Sequence, residues 1–148
     1  MAPDPNNKKV NPSYRQVCTG STGHVEVLYV ELAEPVQEKT FEDLMKFFYL
    51  FHDPTTKNRQ GNDVGTQYGS VVFCDGAVQR DIATRVKEKL QELVKAGKVT
   101  GYAGQTIETE IADLNTFYPA EEEHQRYLEK NPNGYCNHYF RFKAWPEN

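Results

Sequence analysis

The chain is poor in sulfur, with three cysteines and two methionines among 148 residues. Cys18, Cys74 and Cys136 are odd in number and far apart, which excludes a disulfide framework, and their spacing fits no zinc pattern. Thiols in a reducing compartment are the expected state. No apolar run reaches the length of a membrane span, so no membrane role is read from it. The first residues, MAPDPNNKKVNPSY, carry neither the apolar core of a signal peptide nor an Arg-rich amphipathic pattern, and a cytoplasmic location is expected. Basic residues are not in excess: 17 Lys and Arg face 21 Asp and Glu, for a net charge of −4. That balance argues against a nucleic-acid footprint. Repeats, linkers and low-complexity tracts are also lacking, and the length suits a single domain over 1–148.

What is there centres on the stretch HDPTTKNRQGNDVGTQYGS, from His52 to Ser70. It has no helical or strand period, and it lies between the apolar groups Phe47–Phe51 and Val71–Phe73. A long polar loop between buried elements is more often functional than connective, although turn-forming residues alone also produce such loops. Asn58, Gln60, Asp63, Thr66, Gln67 and Tyr68 supply hydrogen-bonding groups suited to a small polar ligand.

Around this loop the pattern predicts a layered α/β domain. Residues 1–23 read as irregular, broken by Pro3, Pro5 and Pro12 and by the Asn-Asn-Lys-Lys run. HVEVLYVEL, His24–Leu32, has strand composition and a nearly continuous apolar character that asks for cover on both faces. Glu26 is the acid inside it, and for a glutamate solvent is the commoner destination. Thr40, with Asp43 three residues on, is placed to cap a helix carrying Phe41, Leu44, Met45, Phe48 and Phe51. Asp53-Pro54 ends that helix. A strand over 70–74 follows. Then comes a long helix with Val78, Ile82, Ala83, Val86, Leu90, Leu93 and Val94 inward and Gly97 as its stop. QTIETEIA alternates strictly, with Ile107, Thr109 and Ile111 on the buried face. A helix is expected from Pro119, with Glu121, Glu122 and Glu123 in its first turn, continuing through His124, Tyr127 and Leu128. The layered core thus spans 24–130. The aromatic tail 131–148 is expected to fold back onto it.

The strings TGHVEV, FFYLFHDPTTKNRQGNDVGTQYGS and FYPAEEEHQRYLEKNPNGYC resemble methionine sulfoxide reductase A, in order and spacing, from Asn11 to Cys136. The resemblance implies a two-layer α/β sandwich of the ferredoxin-like plait type. It also implies reduction of the S epimer of methionine sulfoxide in oxidised proteins and peptides, a monomer, no cofactor, and thioredoxin or another dithiol as reductant. In that chemistry a cysteine thiolate attacks the sulfoxide sulfur while a buried carboxylic acid protonates the departing oxygen. A second cysteine condenses with the resulting sulfenic acid, and dithiol exchange resets the disulfide. By resemblance the acid is Glu26, the groups that bind the substrate are Asp63, Tyr68 and His24, and the recycling thiol is Cys136.

The departures are as informative as the matches. The family's GCFWG motif, which supplies the nucleophile at a helix N-terminus, does not occur, and the one tryptophan is Trp145. The resemblance therefore implies a plait without its first strand-helix unit. The GYAG at 101–104 lies beyond the long helix and reads as coincidence. Gly69 stands where the family usually has arginine, and Glu123 where it has an aromatic residue. A nucleophile needs an exposed electropositive setting, and neither other cysteine is expected to serve: the family often has a non-catalytic cysteine at the place of Cys18, and Cys74 ends a strand read as buried, where a thiol is usually a small hydrophobe. His52, His124 and His138 share no metal-ligand spacing with any cysteine, so no metal is assigned. Two readings follow: a reductase whose first unit is supplied otherwise, or a catalytically inactive paralogue that at most binds sulfoxide-containing peptides. If the first unit is truly missing, exposed apolar faces make self-association an expectation.

Overall fold

The computed structural model describes all residues except 5, 7, 8, 34, 36, 147 and 148. Pro5 and much of the Asn-Asn-Lys-Lys run, read above as structure breakers, thus lie outside the described residues.

A β-α-β unit forms the centre. Strand β3, Val71–Cys74, leads into helix α3, Gly76–Lys95, and the chain returns in strand β4, Glu110–Asp113. The strands pair in parallel, with Val71 opposite Glu110 and Cys74 opposite Asp113. Helix α3 buries Ile82, Ala83, Val86, Leu90, Leu93 and Val94. Helix α2, Glu38–Phe51, adds Phe41, Met45 and Tyr49 to the same core. A helix carrying apolar residues at three- and four-residue spacing has one stripe to bury, and here the two stripes meet. Val78, placed inward by that spacing, is 57 % exposed on the first turn of α3. Tyr49, which the spacing did not select, is buried to 1 %. This mixed α/β architecture agrees with the expected fold class, although among the described residues the paired sheet is limited to β3–β4 and a short hairpin, β1 (Arg59–Gln60) with β2 (Asp63–Val64).

Several local expectations are corrected. His24–Leu32 is extended but makes no ladder: its described backbone bonds out of the segment include Val25 N–H to Met1 O and Glu26 N–H to Gln67 O. A strand is stabilised by a partner's ladder, and none lies alongside 27–32 among the described residues, so Leu28 is left 86 % exposed. Helix α2 starts after Gln37, so Thr40 lies inside it, and Asp43 pairs with Lys39 at 2.8 Å instead of completing a cap. The helix does stop ahead of Asp53-Pro54, with His52 extended. Residues 1–23 are not wholly irregular: helix α1 covers Tyr14–Cys18, and Ser13 N–H donates to Gln16 Oε1 at 3.1 Å. That Ser-x-x-Gln spacing is a capping signal. The helix expected from Pro119 is a run of turns followed by the four-residue α4, Tyr127–Lys130. Arg126, at φ 53°, adopts a backbone that no helix interior accepts.

The alternation in QTIETEIA holds over 107–110, where Ile107 and Thr109 are buried while Glu108 and Glu110 are exposed, but Ile111, expected inward, is half-buried and Ala112 is buried; the ladder begins only at Glu110. The tail does return. Arg141 N–H donates to Leu50 O at 2.7 Å, and Phe142 and Trp145 pack on the core. Gly101 makes that return possible, since a Cβ there would stand 2.0 Å from Arg141 O. The GYAG string is thus a structural seat: Ala103 N–H reaches Asp53 Oδ2 at 2.8 Å and Gly104 N–H reaches Thr55 Oγ1 at 2.8 Å.

Candidate active site

The polar loop is ordered from both ends. His52 Nδ1 donates to Phe48 O at 2.6 Å, and its Nε2 accepts from Ser70 Oγ at 2.9 Å. Ser70 Oγ lies 2.8 Å from Thr109 Oγ1, so the two ends of the loop and the strand region beyond are joined by one buried chain of polar groups. Burial drives the His52 pKa down to about 4, which keeps the ring neutral and the relay intact. Gln60 is buried and lies across the loop, its Oε1 accepting Asp53 N–H at 3.1 Å. Gln67 Nε2 donates to Cys18 O at 3.1 Å and Thr66 Oγ1 to Gly20 O at 2.9 Å, fastening α1 and its following turn to the loop.

These ties place Glu26, Asp63 and Tyr68 on one cleft of about 950 Å³. Its lining joins those three side chains with Gln60 and Asn137 and with the apolar Leu28, Tyr29, Phe47 and Phe48. Glu26 is fixed beside Tyr68 through its N–H on Gln67 O at 2.9 Å. It is exposed at the cleft mouth, yet crowding raises its carboxyl pKa: desolvation acts first, then the Asp63 carboxylate, while His124 opposes them. The Tyr68 phenol is raised too, by burial and then by Glu26. Tyr14 stacks on His124 at 3.7 Å, and its backbone N–H donates to Glu121 Oε1 at 3.0 Å. Its hydroxyl is raised, first by a hydrogen bond to the Cys18 thiol.

A carboxyl with a raised pKa beside a phenol and a second carboxylate can donate a proton to a polar oxygen and hydrogen-bond it. The predicted residues are not all brought together. His24 does not line the cleft: it is buried to 3 %, with Nδ1 3.1 Å from Thr22 O and its ring edge-on to Tyr118. Cys136 stands on an exposed strap near the cleft without lining it. Among the described residues no cysteine lines the cleft. Cys74 is buried and its thiol pushed up to about 11, a small apolar residue in effect. The described residues hold no cluster of three or more His, Cys, Asp or Glu suited to a metal ion. Sequence reasoning overlooked Tyr135 and Asn137, which hydrogen-bond Asp63 from either side of Cys136. Their only sequence signal is adjacency to that cysteine.

Comparison with known proteins follows this geometry. Residues 5–145 match the family described as peptide methionine sulfoxide reductase. A peptide methionine sulfoxide reductase MsrA from Azotobacter vinelandii is 51 % identical over 127 residues, 85 % of this chain and 55 % of that protein. A probable peptide methionine sulfoxide reductase from Schizosaccharomyces pombe is 40 % identical over 137 residues, 91 % of this chain and 75 % of that protein. The crystal structure of reduced Mxr1 from Saccharomyces cerevisiae superposes with a TM-score of 0.77 at 39 % identity, over 94 % of this chain and 73 % of that one. The chain belongs to the peptide methionine sulfoxide reductase family. It spans just over half the length of the first bacterial relatives it matches.

Proposed function

We propose that this chain supplies the proton-donating and oxygen-binding part of a peptide-methionine (S)-S-oxide reductase site. Glu26 is the general acid, Tyr68 donates to the sulfoxide oxygen with Asp63 beside it helping to seat the substrate, and Cys136 is the recycling thiol. The observation that carries this is the convergence of Glu26, Asp63 and Tyr68 on one cleft, with the Glu26 carboxyl raised so that it keeps a proton closer to neutrality. The apolar side chains lining the cleft suit the thioether side of methionine.

Attack of a thiolate at the sulfur, with a proton delivered to the sulfoxide oxygen, would pass that oxygen to the attacking thiol and leave methionine and a sulfenic acid. Condensation with Cys136 then expels that oxygen as water and forms a disulfide, which thioredoxin or a comparable dithiol reduces. The family's GCFWG string is absent and no described cysteine lines the cleft, so the attacking thiolate has to be supplied to the chain. Without it, sulfoxide recognition is the activity that remains. His24 sits behind the site, its ring packed edge-on against Tyr118. Solvent access to the reductant and a cytoplasmic setting go with the thiol chemistry.

The test is binding. N-acetyl-methionine sulfoxide methylamide is titrated into the chain as separate S and R epimers and followed by NMR. The S epimer should bind weakly and saturably, the R epimer less, and Asp63→Ala or Tyr68→Phe should weaken the S epimer. Equal binding of both epimers, unchanged by either substitution, would refute the reading.

A further inference from the structure

Cys136 is held to the polar loop by both of its neighbours. Tyr135 Oη donates to Asp63 Oδ2 at 3.3 Å, and Asn137 Nδ2 donates to the same oxygen at 2.6 Å. Asn137 Nδ2 also lies 2.7 Å from Gln60 O, so its two N–H groups have two close acceptors. Between α4 and Arg141 these are the described hydrogen bonds that tie the strap to the body of the protein. Tyr135, Cys136 and His138 to Phe140 are otherwise exposed. The seat for Asn137 is shaped as well as polar. Gly61, at φ +58°, lies beneath it, and a Cβ there would stand 3.3 Å from both Asn137 Cβ and Nδ2. A glycine at the β1–β2 turn thus lets the asparagine approach the loop backbone.

Hydrogen bonds from neutral donors to a carboxylate are stronger than neutral pairs, and two of them occupy the lone pairs of one oxygen. Asp63 lines the cleft with Glu26 and Tyr68, and its Oδ2 holds the strap, so the strap sits on an acceptor of the site. We propose that Asn137, with Tyr135, is a positioning residue that docks the Cys136 strap on Asp63, and that the docked strap and the N–H donors of a sulfoxide-containing peptide compete for that carboxylate. Ligand arrival then frees the strap and Cys136 at the moment a sulfenic acid is about to need a second thiol. This rests on Asp63 being a ligand contact, as proposed above.

Competition has a quantitative signature. When a site is open only for a fraction of the time, the apparent dissociation constant is the intrinsic one divided by that fraction. A strap docked about nine-tenths of the time would weaken ligand binding about tenfold. The experiment titrates the S epimer of N-acetyl-methionine sulfoxide methylamide into the isotopically labelled full chain and into Asn137→Gly and Tyr135→Phe, with matched thermal unfolding as the folding control. Asn137→Gly should bind about tenfold more tightly and Tyr135→Phe by an intermediate factor. In the unsubstituted chain, the Asn137 side-chain amide resonances should move to solvent-exposed values with the same midpoint as binding. A merely structural asparagine would not report the ligand in that way. If Asn137→Gly does not fold, the Tyr135→Phe affinity and the amide resonances decide alone. Equal affinities and unmoved amide signals, with binding still lost in Asp63→Ala, overturn the docking proposal and leave the site reading standing. No binding in any variant overturns the site reading and the competition with it.

Discussion

Nε2 of His52 stands 2.9 Å from Oγ of Ser70, 18 residues on, and this one hydrogen bond closes the polar loop on itself. The ring can accept that bond only while neutral, because its other nitrogen already donates to Phe48 O.

A pH dependence of stability follows. The folded pKa of His52 is about 4, below the usual value for histidine of about 6.5. Between those values the unfolded chain binds a proton that the folded chain refuses, so stability falls as pH is lowered through that window and is fully present above it. The contribution changes by at most about 1.4 kcal/mol per pH unit. Glu26, whose folded pKa is raised, acts in the opposite sense, since the folded state then holds its proton more firmly. Urea unfolding of the chain and of His52→Gln from pH 7 to pH 4 isolates the histidine. The difference between the two should shrink on acidification, and a constant difference would contradict the relay.

Ser70→Ala removes the hydroxyl shared by His52 and Thr109 and leaves buried partners unsatisfied. A loss of about 1–3 kcal/mol is expected from denaturant midpoints. Ser70→Thr should cost less, because it keeps the hydroxyl.

Gly101→Ala should be among the most damaging single-methyl additions, since its Cβ would meet Arg141 O at 2.0 Å. The clash is with backbone, so the returning tail must move. An expected loss of about 1–3 kcal/mol, together with increased proteolysis between Tyr135 and Trp145, would be read by thermal unfolding and limited digestion.

Gly69→Arg, by contrast, should be tolerated. Gly69 has φ −62° and ψ 143°, ordinary for any residue, and borders a second cavity of about 270 Å³ lined also by Asp4, Glu108 and Glu110. An added guanidinium would meet carboxylates there, although Thr66 O at 3.3 Å from the new Cβ requires a small shift. A stability change within about 0.5 kcal/mol is expected. A large loss would show that this loop cannot give way.

How much was legible beforehand depended on whether the cause was local. Helices α2 and α3 announced themselves because their apolar spacing is a local property, and Pro54 and Gly97 marked their ends. The parallel pair of β3 and β4 could be expected from two short apolar runs around α3. His24–Leu32 misled because composition reports a wish for cover, while a strand also needs a partner that no sequence window contains. Glu26, Asp63 and Tyr68 came through resemblance rather than pattern, being separated by tens of residues and joined only by the closure of the loop. Asn137 escaped notice because its role depends on Gly61 and Asp63, both distant in the chain. The exposure of Leu28 at 86 % and Phe47 at 47 % is likewise a tertiary fact. It predicts concentration-dependent association that Leu28→Lys should relieve without lowering the unfolding midpoint. A chain that stays monomeric in sedimentation at high concentration would contradict that.

The role of Glu26 is tested most directly by the rate of sulfoxide reduction once an attacking thiol is supplied. A family-like segment carrying GCFWG is fused ahead of Met1, and single-turnover reduction of the S-sulfoxide peptide is followed against pH in the fusion and in its Glu26→Gln form. Proton donation by Glu26 requires a fall of about 10²–10⁴-fold in the Gln form, a smaller one for Glu26→Asp, and a first turnover that survives Cys136→Ser. If Glu26→Gln reduces the peptide at the unsubstituted rate across that pH range, Glu26 is not the acid.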